Sequence, residues 1–224
     1  MTGHPRAGRR AASPKTADLS TRDAILEVAL DMFATQGYAA TSVRALTRAI
    51  GLRESSLYNH FEGKEAILTA LVNLNGPARS AQRLTSARYK ALADDPEAFC
   101  RTHAADVLEQ WADPQEQKFQ HLLFAERQRL ENERGLFAKS WFQDEVGAME
   151  AYFRGFAAKS LIKAPDPRET ARLFMAGLTF IRMEYFVLPT VPAAPDIVRP
   201  QLERYLLNFL ATIVLKPAGT RRKP

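Results

Sequence analysis

A short stretch between residues 41 and 64 is rich in side chains that can hydrogen-bond to nucleic acid. Hydroxyl, amide, imidazole and phenol groups can contact phosphates and base edges, and basic side chains can neutralise phosphate charge. Arginine prefers guanine as a partner, and small hydroxyls suit a close approach to DNA. The candidate contacts are Thr41, Ser42, Arg44, Arg53, Ser55, Ser56, Tyr58, Asn59, His60 and Lys64.

Two short helices joined at a glycine are predicted to position these side chains. Leu46 and Ile50 are spaced for one buried face of the first helix. Gly51 follows at the turn, where glycine adopts a left-handed conformation without steric cost. Leu57 and Phe61 lie four apart, on the inner face of the second helix. The pattern is typical of a helix-turn-helix, whose second helix presents its polar face to the DNA major groove.

A longer helix is predicted before this pair, and a further helix after it. Ser20 or Thr21 is a suitable N-cap for the first of these, and Gly37 is a suitable stop. The following helix begins near Lys64. The apolar stripe of the leading helix consists of Ile25, Val28, Ala29, Met32 and Phe33.

The order of these features resembles the DNA-binding domain of the TetR family of bacterial transcription regulators. The resemblance covers about fifty residues without a gap, and the rest of the chain matches in helix order and length only. It implies that Tyr58 and Lys64 grip phosphates, that Arg44 reaches a base edge, and that two subunits read one operator. It is carried by Phe33, Gly37, Tyr38, Thr41, Ser42, Val43, Arg44, Gly51, Leu57, Tyr58, His60, Phe61 and Lys64.

The net positive charge of the chain is concentrated at its two ends. The net charge is +6, yet residues 21–70 hold five Lys and Arg against six Asp and Glu. The bulk charge therefore does not identify the DNA-binding unit. The single cysteine, Cys100, cannot form an internal disulfide, and the longest apolar run, residues 173–181, is too short to span a bilayer. We expect a cytoplasmic protein.

The predicted fold class is all-α, with two domains. A three-helix helix-turn-helix DNA-binding domain is expected at residues 21–71, and a larger helical ligand-binding and dimerisation domain at 72–215. Residues 1–20 read as a disordered basic arm, and 216–224 as a basic tail. The arm either adds phosphate or minor-groove contacts or is merely a solvated terminus.

The last two predicted helices indicate a homodimer interface. The final helix is amphipathic throughout, and the preceding one is apolar nearly all round, which predicts burial on both sides. Two helices from each of two subunits would form a four-helix bundle, as the resemblance also implies. The alternative is that both helices are buried within one subunit. The candidate interface residues are Phe174, Gly177, Ile181, Leu202, Tyr205, Phe209 and Ile213.

The helical body has no catalytic signature, so we expect no enzyme, no cofactor and no metal. His103 and Asp106 are spaced to share a metal, but a lone pair is a weak signal. The resemblance implies that a cavity in the body binds a small effector. Many large side chains favour an apolar cavity with Arg182 as a polar anchor. The candidate ligand-binding residues are Trp111, Phe119, Trp141, Phe142, Tyr152, Phe156 and Arg182.

The predicted function is a dimeric repressor that a largely apolar small-molecule effector releases from a palindromic operator. One alternative is a regulator without a small ligand, gated by a protein partner. Another is a small-molecule-binding helical protein with a vestigial DNA-binding head.

Overall fold

The computed structural model describes residues 20–134 and 143–215, and they form two compact units, Met1–Leu68 and Thr69–Pro224. The predicted basic arm and tail lie outside the described residues, apart from Ser20. Within those ranges the chain is helical, with no strand beyond an isolated bridge between Ile162 and Val214. This confirms the predicted all-α class. No helix there is both long and apolar enough to cross a membrane.

The first unit contains three complete helices and the start of a fourth. Ser20 caps the first helix by accepting from the amide of Asp23, and Ser42 caps the second through the amide of Ala45. Gly37 has φ 87° where the first helix ends, and Gly51 has φ 77° between the second and third. Both predicted glycine turns are confirmed. The helices are α1 Thr21–Gln36, α2 Val43–Ile50, α3 Glu54–Tyr58 and α4 Lys64–Asn75, which ends in the second unit.

The described residues of the second unit form eight further helices and a π-helical turn. Asp95 and Asp113 cap two of them, and each is followed by proline in the first turn of its helix. The helices are α5 Pro77–Leu84, α6 Ala87–Lys90, α7 Pro96–Ala112, α8 Pro114–Ala125, α9 Arg127–Arg134, α10 Gln143–Ala158, α11 Pro167–Arg182 and α12 Pro195–Ile213, and the π-helical turn is Met183–Val187. Glu126 separates α8 from α9.

Aromatic side chains from four helices form the core of the second unit. Phe153 of α10 has its ring centroid 6.1 Å from Phe99 of α7, 6.0 Å from Phe174 of α11 and 6.1 Å from Phe209 of α12. The first three of these side chains are fully buried. Edge-to-face contacts of this kind add to the free energy of simple burial.

This core contains most of the side chains predicted for the dimer interface, and that assignment is therefore corrected. Five of them are at most 8% exposed within their own chain: Phe174, Ile181, Leu202, Phe209 and Ile213. Their burial matches the alternative in which these faces pack inside one subunit. The exposed large apolar side chains on the same two helices are different residues, namely Leu173, Phe180, Ile197 and Leu207, at 65%, 69%, 59% and 58% exposure.

Gly177 permits a close approach within the chain, and the proposed approach of a second subunit at this residue is corrected as well. A Cβ at Gly177 would lie 2.1 Å from Cε2 of Tyr205. The Tyr205 ring cannot readily retreat, because its hydroxyl donates to the carbonyl of Phe174 at 2.7 Å. The same ring stacks on Phe174 and Phe209. The absent side chain is thus a packing requirement of α11 against α12.

Replacing Gly177 by alanine should therefore destabilise the protein, although alanine is the better helix former. Overpacking of this kind typically costs about 1–3 kcal/mol. Urea denaturation should show this loss in the otherwise unchanged chain. In a Tyr205→Ala background, where the obstructing ring is gone, the same substitution should be neutral or stabilising. An equal loss of stability on Gly177→Ala in the two backgrounds would contradict a clash with the Tyr205 ring.

Candidate nucleic-acid interface and body cavity

The third helix, α3, is held by its inner face and leaves its outer face exposed. Leu57 is fully buried and Phe61 is 6% exposed, so these two side chains anchor the helix in the first unit. Ser55 is exposed, and Tyr58 is 53% exposed although it is a large aromatic residue. A half-exposed tyrosine with a free-standing polar tip suits a contact to a phosphate better than it suits packing.

The remaining candidates around α3 are arranged at its two ends. Arg53 is the N-cap residue but makes no side-chain capping bond, and Glu54 occupies the first turn, where a negative charge suits the helix dipole. Asn59 and His60 follow the last helical residue, and both are exposed. Ser56 is half-buried, so it is less available than its neighbour Ser55. Arginine at the cap and asparagine past the end extend the polar face along the chain.

The N-terminus of α2 provides a second group of contacts. Ser42 caps the helix and is exposed, and Arg44 is exposed in the first turn. The helix dipole and unpaired amides make such an end favourable for a phosphate. Thr41 differs from the prediction, because its side chain is buried and its hydroxyl donates to the carbonyl of Gly37 at 2.9 Å. Its hydroxyl is therefore turned away from any DNA surface.

Lys64 has a structural role that sequence reasoning missed. Its ammonium donates to the carbonyl of Tyr38 at 2.6 Å and to that of Thr41 at 2.8 Å, and it lies 4.3 Å from the centroid of the Tyr38 ring. These bonds hold the turn that leads from α1 into α2. A lysine at the first position of a helix opposes the dipole, so its position was a signal that it had specific acceptors.

The second unit contains a cavity of about 70 Å³ among α5, α7, α8, α10 and α11. Polar groups dominate its wall, which overturns the expectation of a largely apolar cavity. The residues that line it include Ser80, His103, Gln110, Trp111, Glu116, Gln120, Glu145, Thr179 and Arg182.

A buried ion pair forms one side of this cavity. Arg182 donates to Oε1 of Glu116 at 2.6 Å, and Gln120 donates to the same oxygen at 3.0 Å. The guanidinium of Arg182 also lies 5.8 Å from the centroid of the Trp111 ring. The second oxygen of Glu116, Oε2, is buried without a hydrogen-bond partner. Glu116 therefore has one oxygen available to accept a hydrogen bond from a ligand.

A histidine and a second carboxyl group form the other side. His103 is fully buried and neither ring nitrogen has a hydrogen-bond partner. Burial, reinforced by the positive charge of Arg83, lowers the pKa of His103 to about 3, so the ring is neutral at pH 7. Its Nε2 lies 3.9 Å from Oε1 of Glu145, and with a neutral ring this contact is not an ion pair. Burial raises the pKa of Glu145, against a hydrogen bond from Ser80 and the charges of Arg83 and Arg182.

The structure separates the side chains predicted to bind a ligand. Trp111 and Arg182 line the cavity. Phe119 and Phe156 are fully buried and do not line it, and Tyr152 donates to the carbonyl of Leu84 at 2.8 Å. These three are therefore corrected to structural roles. Trp141 and Phe142 lie outside the described residues.

The cavity residues that sequence reasoning missed are the polar ones. Glu116 shares the buried face of α8 with Phe119 and Leu123. A carboxylate on an apolar stripe was the available signal, because buried charges require partners.

The suggested metal pair, His103 with Asp106, is not assembled. The carboxylate of Asp106 accepts from Arg88 at 2.9 Å and from the Tyr89 hydroxyl at 2.8 Å. In the described ranges no three His, Cys, Asp or Glu side chains are grouped to hold a metal ion.

The fold and the head together define a class: a helix-turn-helix protein with a larger helical body. The sequence profile described as "Bacterial regulatory proteins, tetR family" matches residues 25–71. Residues 25–71 are therefore similar to the DNA-binding domain of TetR-family transcriptional regulators. Members of that family regulate transcription.

Two curated relatives are similar to the N-terminal part of the chain. The HTH-type transcriptional repressor KstR2 of Mycolicibacterium smegmatis is 43% identical over 49 residues, which are 22% of this chain and 24% of that protein. KstR2 of Mycobacterium tuberculosis is 36% identical over 75 residues, 34% of each chain. The chain thus spans about a quarter to a third of the length of these relatives.

Solved structures are similar over most of the chain. A TetR-family transcriptional regulator from Mesorhizobium loti has a TM-score of 0.69 at 18% identity and covers 87% of this chain and 96% of its own. SmeT, the repressor of the Stenotrophomonas maltophilia multidrug efflux pump SmeDEF, has a TM-score of 0.64 at 19% identity, covering 92% and 97%. At these identities the likeness shows a shared fold.

Proposed function

We propose that this protein is a dimeric repressor that binds a palindromic DNA operator and is released from it by a small-molecule effector. The observation that carries the DNA-binding part is the contrast between buried Leu57 and half-exposed Tyr58 on adjacent positions of α3. One face of the helix is fixed, and the other presents hydrogen-bonding groups outward. A protein with this role acts on DNA, so we place it in the cytoplasm.

The contacts divide into positioning and specifying groups. Tyr58, Ser42 and His60 are placed to hold phosphates, and Arg53 adds charge at the start of α3. Arg44, Ser55 and Asn59 are the exposed groups suited to base edges. Ser56 has a minor role because it is half-buried. Lys64 acts by holding the turn before α2, with any phosphate contact additional to that role.

The dimer in this proposal uses the exposed apolar side chains of α11 and α12. Leu173 and Phe180 of α11 are about two-thirds exposed, and Leu207 of α12 is 58% exposed. Two adjacent helices with large apolar side chains in water are the expected face of a subunit interface. A dimer presents two recognition helices to two half-sites, as a palindromic operator requires.

Changing Leu173 and Phe180 together to glutamate should convert the protein to a monomer without unfolding it. Both side chains are exposed, so the core is not altered. Analytical ultracentrifugation should show the monomer, and DNA retardation should show a loss of operator affinity. The matched control changes Leu188 and Val191, which are exposed outside α11, to glutamate. A dimer that survives the first pair of substitutions contradicts this interface.

The effector in this proposal occupies the cavity of the second unit. SmeT, which shares the fold, has been solved as a complex with triclosan. The helix α4 begins with Lys64, which holds the turn before α2, and ends with Asn75, which lines the cavity. In this proposal, coupling between the two units passes along this helix. An effector that binds more tightly to the conformation without DNA lowers the affinity for DNA, and DNA lowers the affinity for the effector by the same factor. The typical coupling free energy is about 1–3 kcal/mol.

The size of the cavity favours a second candidate, a regulator gated by a protein partner without any small ligand. At about 70 Å³ the cavity is far smaller than the roughly 300–1,000 Å³ typical of sites for drug-sized ligands. This volume is compatible with a regulator that binds a small polar effector and with a regulator that binds no effector. They differ in whether any small molecule changes DNA affinity.

The test of the proposed function is DNA retardation with the duplex upstream of the protein's own gene. We expect a discrete complex that a small polar compound weakens. Retardation that no compound affects would favour the partner-gated regulator. Failure to retard any duplex, including this one, would favour a small-molecule-binding protein with a vestigial head.

A further inference from the structure

We propose that the body cavity binds a small organic cation, an ammonium or amidinium head group, between the carboxyl groups of Glu116 and Glu145. This rests on the proposed function in that the cation would be the effector. The cavity residues themselves specify the ligand chemistry, and they are independent of the DNA-binding head.

Glu116 supplies the first anchor. Its Oε1 already accepts from Arg182 and Gln120, but its Oε2 is buried, unpartnered and part of a cavity-lining side chain. A buried carboxylate oxygen without a donor is costly, and a ligand N–H would relieve that cost. The free hydrogen-bonding capacity at Glu116 is therefore an acceptor carrying negative charge.

His103 and Glu145 supply the opposite wall. The neutral ring of His103 offers one acceptor nitrogen and one N–H, and neither is used within the chain. Glu145 lies beside it, with 3.9 Å between Oε1 and the Nε2 of His103. A cation placed next to Glu145 would favour the ionised carboxylate, which then accepts a hydrogen bond from the ligand. A head group with several N–H donors matches these acceptors.

The basic groups near the cavity are less available to a ligand anion. Arg182 is paired with Glu116 and lies over Trp111. Arg83 donates through Nη2 to Gln110, and its Nη1 is buried without a partner. Arg83 does not line the cavity wall, whereas Glu116, Glu145 and His103 do. Arg83 acts on His103 and Glu145 through its charge, whereas the hydrogen-bonding groups that line the cavity include Glu116, Glu145 and His103.

The volume limits the part of the ligand that is enclosed. One water needs roughly 10–15 Å³ of such space, so about 70 Å³ suits a head group of a few heavy atoms. Acetamidinium, acetate and acetamide are planar molecules of the same shape that differ in charge and donors. They are the appropriate probes because their size is matched to the cavity.

The experiment titrates each probe into the purified full chain at constant ionic strength, with ligand-observed NMR as the readout. We expect acetamidinium to bind about tenfold or more tightly than acetate or acetamide, as a charge-assisted hydrogen bond allows. Glu116→Gln and Glu145→Gln should each weaken acetamidinium by a similar factor. Glu109→Gln, an exposed change of the same charge on α7, should have no effect.

Preferential binding of acetate, or the absence of detectable acetamidinium binding, would overturn the proposal. If Glu116→Gln fails to fold, Glu145→Gln still decides, because glutamine resembles the protonated carboxyl that burial favours at this position. The titration contains no DNA, so its failure leaves the proposed regulator intact. Conversely, cation binding by a protein that retards no DNA would reject the regulator and keep the cation site.

Discussion

Replacing Arg44 by alanine is expected to lower operator affinity more than any other single change in the head. Arg44 is exposed in the first turn of α2, and the capping bond of Ser42 fixes the start of that helix. A bidentate arginine–guanine contact discriminates by about 1–3 kcal/mol. A palindrome contains two such contacts, so the loss of binding free energy is about 2–6 kcal/mol per dimer by the same figure.

Fluorescence anisotropy measures this loss, with an operator obtained by selection from random duplex DNA. A second comparison uses operators changed at the contacted base pair, for which the variant should lose the discrimination of the unaltered protein. The control is Arg199→Ala, which removes the same exposed charge from α12 in the other unit. Equal affinity losses for the two variants would mean that Arg44 contributes only general charge.

Replacing Arg182 by methionine is expected to destabilise the second unit strongly. The Glu116 side chain is 1% exposed, and removing its partner leaves a buried carboxylate without compensation. Breaking a buried ion pair in this way costs about 3–5 kcal/mol. The lower end of this range of energies applies here, because the Arg182 side chain is 24% exposed and Gln120 still donates to Glu116.

Urea denaturation of a small set of variants measures the contribution of the Arg182–Glu116 ion pair to stability. Adding Glu116→Leu to Arg182→Met should restore most of the lost stability, since two apolar side chains replace the two charges. Arg172→Met is the matched control on α11, because its ion pair with Glu169 is exposed on both sides. Exposed pairs contribute about 0–1 kcal/mol. A loss no larger for Arg182→Met than for Arg172→Met would show that the buried pair is not a stabilising element.

The local elements of the head could be predicted because each depends on a short-range rule. Gly37 and Gly51 adopt positive φ at turns that only the neighbouring helices define. Ser42 caps α2 through an amide three residues away. The exposure of Tyr58 and the burial of Leu57 follow from helical periodicity. None of these features requires knowledge of distant parts of the chain.

The direction of the apolar faces in the body could not be predicted. Leu173 and Phe174 are adjacent apolar residues on α11, but one is 65% exposed and the other fully buried. A helix that is apolar nearly all round does not show which side meets its own core. The long-range packing of Phe174 on Phe153 and Phe209 decides this, and it is not contained in the local pattern.

The polar cavity was missed for a related reason. Glu116 and Arg182 are 66 residues apart in sequence, and only the fold brings their side chains within 2.6 Å. Lys64 and the carbonyl of Tyr38 are likewise separated by 26 residues. The large aromatic residues were an ambiguous signal, because Phe119 and Phe156 serve the core as readily as they would serve a ligand site.

Two copies of this head are proposed to read one palindromic DNA site, and selection from random duplex DNA is the measurement that examines this. The selected sequences should share two inverted half-sites about 34–36 Å apart, one helical turn of DNA. Their affinity should fall steeply between two salt concentrations, because several phosphates are neutralised. Weak binding without a shared sequence would contradict the proposal that a dimer reads a palindromic site.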